Sequence, residues 1–241
     1  MRDFFELCVS TWRAAYNPGT LMTADESMVF WVGTGSAHLT YLPRKPTPLG
    51  IMLKTICDAS SGVMVGAEIC ESKEAMADKK WVKQWGATTA TTMRLVEPFA
   101  GRGRVLIADS WFGSTRTAYA LRKELATFSI CNVKQNSRGF PKAYLKQKCV
   151  SRGDVQSMSV EVDNIKMWAS CHMDKTPMSL IHTTDTCLEG EPRFRTIARY
   201  KEGKVVRRTY TLHQPSVHAT YRNNFWMVDR FNRVALGPQS M

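Results

Sequence analysis

Residues 104–114 read Arg-Val-Leu-Ile-Ala-Asp-Ser-Trp-Phe-Gly-Ser, and this stretch decides the fold class. Val105 to Ala108 is a continuous apolar run of the kind found in strands covered on both faces, and it stops on a carboxylate, Asp109. Ser114 is a good N-cap for a helix over Thr115 to Ala126, where Ala118, Leu121, Arg122 and Leu125 recur at helical spacing. Phe128 to Val133 then reads as another strand. Strand, helix, strand in succession is a parallel crossover, so the chain is α/β and built on a mixed sheet.

Working outward, Thr20 to Val32 is rich in β-branched and aromatic residues, carries Asp25-Glu26 in its middle and ends in the turn Gly33-Thr34-Gly35-Ser36. His38 to Leu42 is a second short strand, and Gly50 to Cys57 with Gly62 to Cys70 reads as a hairpin, so the first 70 residues form an antiparallel meander. Before them, residues 1–19 form a short helix or turn that stops at Asn17-Pro18-Gly19. Met76 to Phe99 has a helical period and should pack back onto the sheet. Downstream, Lys134 to Arg152 reads as a basic loop broken by Gly139 and Pro141. Ser157 to Ser170, Met178 to Thr184 and Ile197 to Leu212 read as strands, the last a hairpin turning at Glu202-Gly203, and Val217 to Leu236 as one helix.

The whole chain has 241 residues, 44% of them hydrophobic and 22% charged, which excludes disordered, collagen-like and low-complexity classes. Lys and Arg number 33 against 21 Asp and Glu, a net charge of +12 that favours a polyanionic partner, nucleic acid first. No apolar run approaches the roughly 18 residues of a spanning helix, and the start does not resemble a secretory signal. Seven scattered cysteines fit reduced thiols, so an intracellular protein with no membrane partner is expected.

Three aspartates fall where local order is expected: Asp25 within a strand, Asp109 at a strand end and Asp229 on the apolar face of the last helix. An unpaired carboxylate in such a place is expensive to desolvate, and a divalent metal is one compensation. Three carboxylates from distant chain positions can hold two ions roughly 4 Å apart for in-line phosphoryl transfer. Each aspartate taken alone also has a plain structural explanation: Asp109 as a strand-end cap, Asp25 in an ion pair, Asp229 paired with Arg222, Arg230 or Arg233. Cys171-His172, His182 and Cys187 follow no zinc-ligand spacing and read as buried thiols and histidines, and Trp81, Trp85, Trp111 and Trp168 read as core anchors. Gly101-Arg102-Gly103-Arg104 precedes a strand and is no nucleotide loop.

Carboxylates on a first strand, a later strand and a terminal helix resemble the RNase H-like nuclease and transposase arrangement. The motifs go further and are similar to the catalytic domain of piggyBac-type DDE transposases. Met22 to Met28 resembles that family's first-aspartate strand, and Tyr41-Leu42-Pro43-Arg44-Lys45-Pro46 through Gly50-Ile51 its YxPxKPxxxG segment. Arg94 to Pro98 followed by Ile107 to Ser114 resembles its second-aspartate motif, and Asn132 to Pro141 its TxRxNRxGxP stretch. Trp168 to Thr184 is similar to its Trp-containing strands, and Tyr221 with Val228-Asp229-Arg230-Phe231-Asn232 to its last helix. Departures are Gly33-Thr34 for the usual Gly-Arg, Met52 for a lysine, Trp226-Met227 for two glycines, and Asn232 at a fourth acidic position.

The resemblance implies an RNase H-like mixed five-stranded sheet flanked by helices, with a β-rich insertion before the last helix. It divides the chain into a lead-in (1–19), a core with the first two aspartates (20–134), a basic β-rich insertion (135–215) and a terminal helix with the third (216–241). It implies metal-dependent cleavage and transfer of double-stranded DNA, at transposon ends and TTAA targets, by two Mg²⁺ or Mn²⁺ held by Asp25, Asp109 and Asp229 with Asn232 beside them. Lys45, Lys134, Arg138, Lys142, Lys146, Lys148, Arg193, Arg195, Arg199, Arg207 and Arg208 would contact phosphates. It further implies a nuclear location in a eukaryote, leaves room for a homodimer, and marks the chain as part of a longer protein whose N-terminal DNA-binding and C-terminal zinc regions are not recognisable. The alternative left open, on Asn232 and the altered last motif, is an inactive, domesticated or truncated DNA-binding derivative, and an unrelated basic α/β domain is the plainest reading.

Overall fold

The structure, a computed structural model, describes residues 2–235 except 34, 37, 44, 46, 47, 135 and 185–187, and leaves aside the side chains of 146 and 235. Helix α1 (Arg2–Ala15) leads into β1 (Leu21–Phe30), which pairs antiparallel with β3 (Leu49–Asp58) and parallel with β5 (Val105–Ala108). β3 carries β4 (Met64–Ile69) and the short β2 (Leu39–Tyr41) along its other edge, and β5 pairs parallel with β6 (Phe128–Asn132). The strands β4-β3-β1-β5-β6 are the expected mixed core of five, antiparallel on one side of β1 and parallel on the other.

The sheet does not stop there. β7 (Val155–Val162), β8 (Ile165–Met173) and β9 (Pro177–His182) add antiparallel to the β6 edge, giving nine strands in all. The expected single strand from Ser157 to Ser170 is in fact the β7–β8 hairpin. Asp163 and Asn164 both take positive φ (50° and 60°) there, the two-residue turn chemistry that short-side-chain polar residues tolerate. Only β10 (Arg193–Lys201) and β11 (Lys204–Leu212) stand apart, as a two-stranded ribbon turning at Glu202-Gly203 as expected.

Helices cover both faces. On one, α4 (Ala87–Val96) and α5 (Thr115–Leu125) bury Met93, Leu95, Ala118 and Leu121 against Met22, Ala24, Ile56, Leu106 and Ala108. Ser114 caps α5 by accepting from the Thr117 amide at 3.0 Å, as its position in the sequence suggests. Ahead of α4 the helical stretch is divided into α2 (Lys73–Ala77) and α3 (Val82–Trp85). On the other face, α7 (Ser216–Asn224) lays Val217 and Tyr221 on Ile107, Ile130 and Leu180, while α1 seats Val9 on Leu53 and Ala67. The expected basic loop contains a further short helix, α6 (Lys142–Lys148), which its buried Leu145 anchors.

The tail is two helices rather than one: α7 ends at Asn224 and α8 (Met227–Ala235) begins after a turn at Phe225-Trp226. Apolar spacing runs through the turn, so periodicity alone does not mark it. Tertiary contacts do: the Thr23 hydroxyl of β1 donates to the Asn224 carbonyl at 3.1 Å, and α8 sets Met227 beside Gly62 in the β3–β4 turn.

Three histidines, His172, His182 and His218, are fully buried where α7 covers β8 and β9. Burial pulls all three pKa values down, His182 to about 4, with the Arg222 charge adding to the effect on His172 and His218. A histidine held below its unfolded value near 6.5 costs stability once the pH falls under that value, up to about 1.4 kcal/mol per pH unit per group. Urea midpoints should therefore drop between pH 6.5 and 4, and His218→Gln should flatten the slope; a midpoint unchanged from pH 7 to 5 would contradict this.

Candidate functional site

β1 and β5 run parallel with Ala24 opposite Ala108, so the next residues along, Asp25 and Asp109, are neighbours across strands whose backbones lie about 5 Å apart. Ala24 and Ala108 both pack on the α4–α5 side. Alternation therefore turns both aspartates to the α7–α8 side, where Thr23 and Ile107 also point. Both are half-buried.

Their electrostatics follow from this placement. Burial, then the charges of Asp109 and Asp229, push the Asp25 carboxyl up to about 6, against the pull of its own hydrogen bond and of Lys45. Asp109 is raised too, first by burial and then by Glu26, while the Trp111 amide and Lys54 act in the opposite direction. Asp25 Oδ1 accepts the Glu26 amide at 2.7 Å, and Asp109 Oδ1 accepts the Trp111 amide at 2.9 Å. Tyr221 lies buried in the same field, its phenol held protonated by burial and by Asp109 and Asp25.

Asp229 sits in the first turn of α8, and its charge is felt at Asp25. The expectation that Asp229 lies on the apolar face is corrected: Met227 and Val228 turn inward and Asp229 is exposed, so it bears little desolvation cost itself. One turn on, Asn232 Oδ1 is buried and has no hydrogen-bond partner among the described residues. Among those residues no three His, Cys, Asp or Glu side chains close into a finished cation cage. Mg²⁺ does not require one, being held typically by one or two carboxylates together with water and substrate phosphate. Carboxylate and amide oxygens such as these are the donor types that Mg²⁺ and Mn²⁺ take.

The basic residues divide into groups. Lys45 lies 4.0 Å from Glu26, and its charge pulls the Asp25 carboxyl down. Lys134 and Arg138 are exposed after β6, Lys142 is half-buried and Lys148 donates to the Tyr144 hydroxyl, whereas the Lys146 side chain lies outside the described residues. On the ribbon, pairing of Ile197 with Arg208, Arg199 with Val206 and Lys201 with Lys204 puts Arg193, Arg195, Arg199, Lys201, Lys204 and Arg208 on one face, and Arg207 on the other. Arg195 is not free, because it pairs with the buried Asp174, which Arg152 and Arg222 also approach at 3.6 and 3.8 Å. Cys171, His172 and His182 are buried as expected, and Cys187 lies outside the described residues. Trp81, Trp85 and Trp111 pack on the main core, and Trp168 stacks on His182.

The sequence model of the family described as Transposase IS4, of the DDE group, matches residues 1–235. The chain belongs to that transposase family. Among solved structures, a piggyBac transposase, determined by cryo-electron microscopy as a synaptic complex with hairpin DNA, superposes with a TM-score of 0.72. Identity is 20%, and the match covers 98% of this chain and 44% of that one, so the transposase fold is shared over a chain that spans less than half the length of the solved relative. The resemblance to piggyBac-type DDE transposases is thereby borne out in family and fold. No curated protein sequence matches the chain.

Lys54 and Asp174 escape the motif reading. Lys54 carried a signal, a lone charge inside the apolar run Gly50 to Cys57. Asp174, in a short turn, carried none.

A carboxyl whose folded pKa is raised to about 6 destabilises the fold while it is ionised. Asp25→Asn should therefore raise stability at pH 7.5 by about 1–3 kcal/mol, and the gain should vanish below pH 4, where Asp25 is protonated whether folded or not. Thermal melts at the two pH values check this; a destabilised variant at pH 7.5 would contradict it.

Proposed function

We propose that this transposase-family chain is a catalytic domain that cleaves and transfers DNA strands with two Mg²⁺ or Mn²⁺ ions held by Asp25, Asp109 and Asp229. The observation that supports the proposal is the register that makes Asp25 and Asp109 neighbours, with the charge of Asp229 felt at Asp25. Separating two half-buried carboxylates would be the cheaper arrangement for a fold with no use for them. Bound ions would supply charge neutralisation at the scissile phosphate and a lowered pKa for the attacking water or 3′ hydroxyl.

The protein's own part is positional. The amides of Glu26 and Trp111 orient the two strand carboxylates, and Asn232 offers a carbonyl oxygen without charge, a weaker donor than a fourth acid. Lys45, the exposed Lys134 and Arg138, and the basic ribbon face would bind phosphates of double-stranded DNA and set its path without reading bases. The hairpin DNA named with the solved piggyBac relative supports that partner. TTAA preference, a nuclear location and a homodimer rest on the family resemblance and belong to this proposal. The rival, a DNA-binding derivative without catalysis, is favoured by Asn232 in place of an acid and by the exposure of Asp229.

Wild-type protein given Mg²⁺ or Mn²⁺ should nick or join DNA, and Asp109→Asn should lose that activity by at least about a thousandfold. Equal activity in the two overturns the catalytic assignment, and DNA binding without metal-dependent cleavage selects the rival. Separately, Arg199→Ala with Arg208→Ala should weaken DNA binding evenly across sequences and reduce the slope of log affinity against log salt by about 2. An unchanged slope removes the ribbon from the DNA path.

A further inference from the structure

Lys54 occupies β3 opposite Glu26 of β1 and is 2% exposed, a rare place for an ammonium. Two groups compensate it. Its Nζ donates to Glu26 Oε1 at 2.5 Å and lies 3.2 Å from the centroid of the Trp111 ring, with Phe112 at 5.5 Å. Glu26, Lys54 and Trp111 gather on the α4–α5 side, the face opposite the aspartates, because Glu26 and Lys54 follow the alternation of Ala24 and Ile56.

The two residues that hold Lys54 are the same two whose backbone amides hold the aspartates. Glu26 N–H donates to Asp25 Oδ1, and Trp111 N–H donates to Asp109 Oδ1. One ammonium therefore fixes, from beneath the sheet, the side chains of both residues that orient the carboxylates above it. A cation over an indole face is held more strongly when desolvated, as here, and a charge-assisted hydrogen bond is stronger than a neutral one, so each arm resists rotation.

We propose that Lys54 is a positioning residue: through Glu26 and Trp111 it sets the orientation of Asp25 and Asp109 for divalent cation binding. This rests on the metal-site reading above, and the experiment separates the two. Lys54→Met alone would leave the half-buried Glu26 with only the more distant Lys45 at 4.0 Å, so the informative protein is the double variant Lys54→Met with Glu26→Gln, which removes both members of the close pair.

Amide hydrogen exchange and Mn²⁺ titration calorimetry are measured on the wild type, the double variant and Asp109→Asn, with far-UV circular dichroism to establish folding. In a folded double variant, exchange at the Glu26 and Trp111 amides should quicken at least tenfold while Ala24 and Ala108 stay protected, and the Mn²⁺ dissociation constant should rise about 10- to 100-fold, the usual cost of losing an outer-shell partner. Unchanged exchange at those two amides overturns the proposal. So does exchange that quickens equally at Ala24 and Ala108, which makes Lys54 a general packing residue, or unfolding of the double variant. Quickened exchange at the two amides with Mn²⁺ binding that is absent or insensitive to Asp109→Asn leaves the positioning role standing and refutes the metal-site reading.

Discussion

Two half-buried carboxylates on adjacent parallel strands repel each other, and the rest of the structure holds them there. Parallel pairing of β1 with β5 puts Asp25 beside Asp109, and each carboxylate accepts the amide of a residue just after it. Burial, then the charges of Asp109 and Asp229, raise the Asp25 carboxyl to about 6, a direction common among carboxylates at functional sites. Repulsion of this kind is tolerated because the β-sheet around it is fixed by packing on both faces, through Met22, Ala24, Leu106 and Ala108 on one side and Ile107 and Tyr221 on the other.

The fold was legible where local pattern and global packing agree. Val105 to Ala108 is apolar on both faces because helices cover both, and Ser114 caps α5 as its side chain predicts. Asp25 and Asp109 could be picked out because each carboxylate interrupts such a pattern. Legibility failed where distant contacts decide. The break between α7 and α8 depends on Thr23, some 200 residues away, which accounts for a helix read as continuous. The extension of the sheet by β9, β8 and β7 depends on an edge of β6 that no local signal marks as open.

The candidate site was legible in its acids but not in their support. The apolar spacing of the last helix suggests a buried Asp229, yet the rotation of α8 turns Met227 and Val228 inward and leaves Asp229 exposed. Lys54 shows why sequence order is a poor guide to second contacts, since Glu26 lies 28 residues before it and Trp111 lies 57 after it, and only the fold brings them together. Family and fold are shared with transposases, and Lys54 with its two partners lies on the face of the sheet opposite Asp25 and Asp109.

A double-mutant cycle on folding stability at pH 7.5, with Asp25→Asn, Asp109→Asn and the pair, tests most directly whether the two carboxylates are held against their own repulsion. The account predicts that the double variant gains about 1 kcal/mol less than the sum of the single gains, because the same repulsion is removed in each single variant. Additive effects, within about 0.3 kcal/mol, would contradict it.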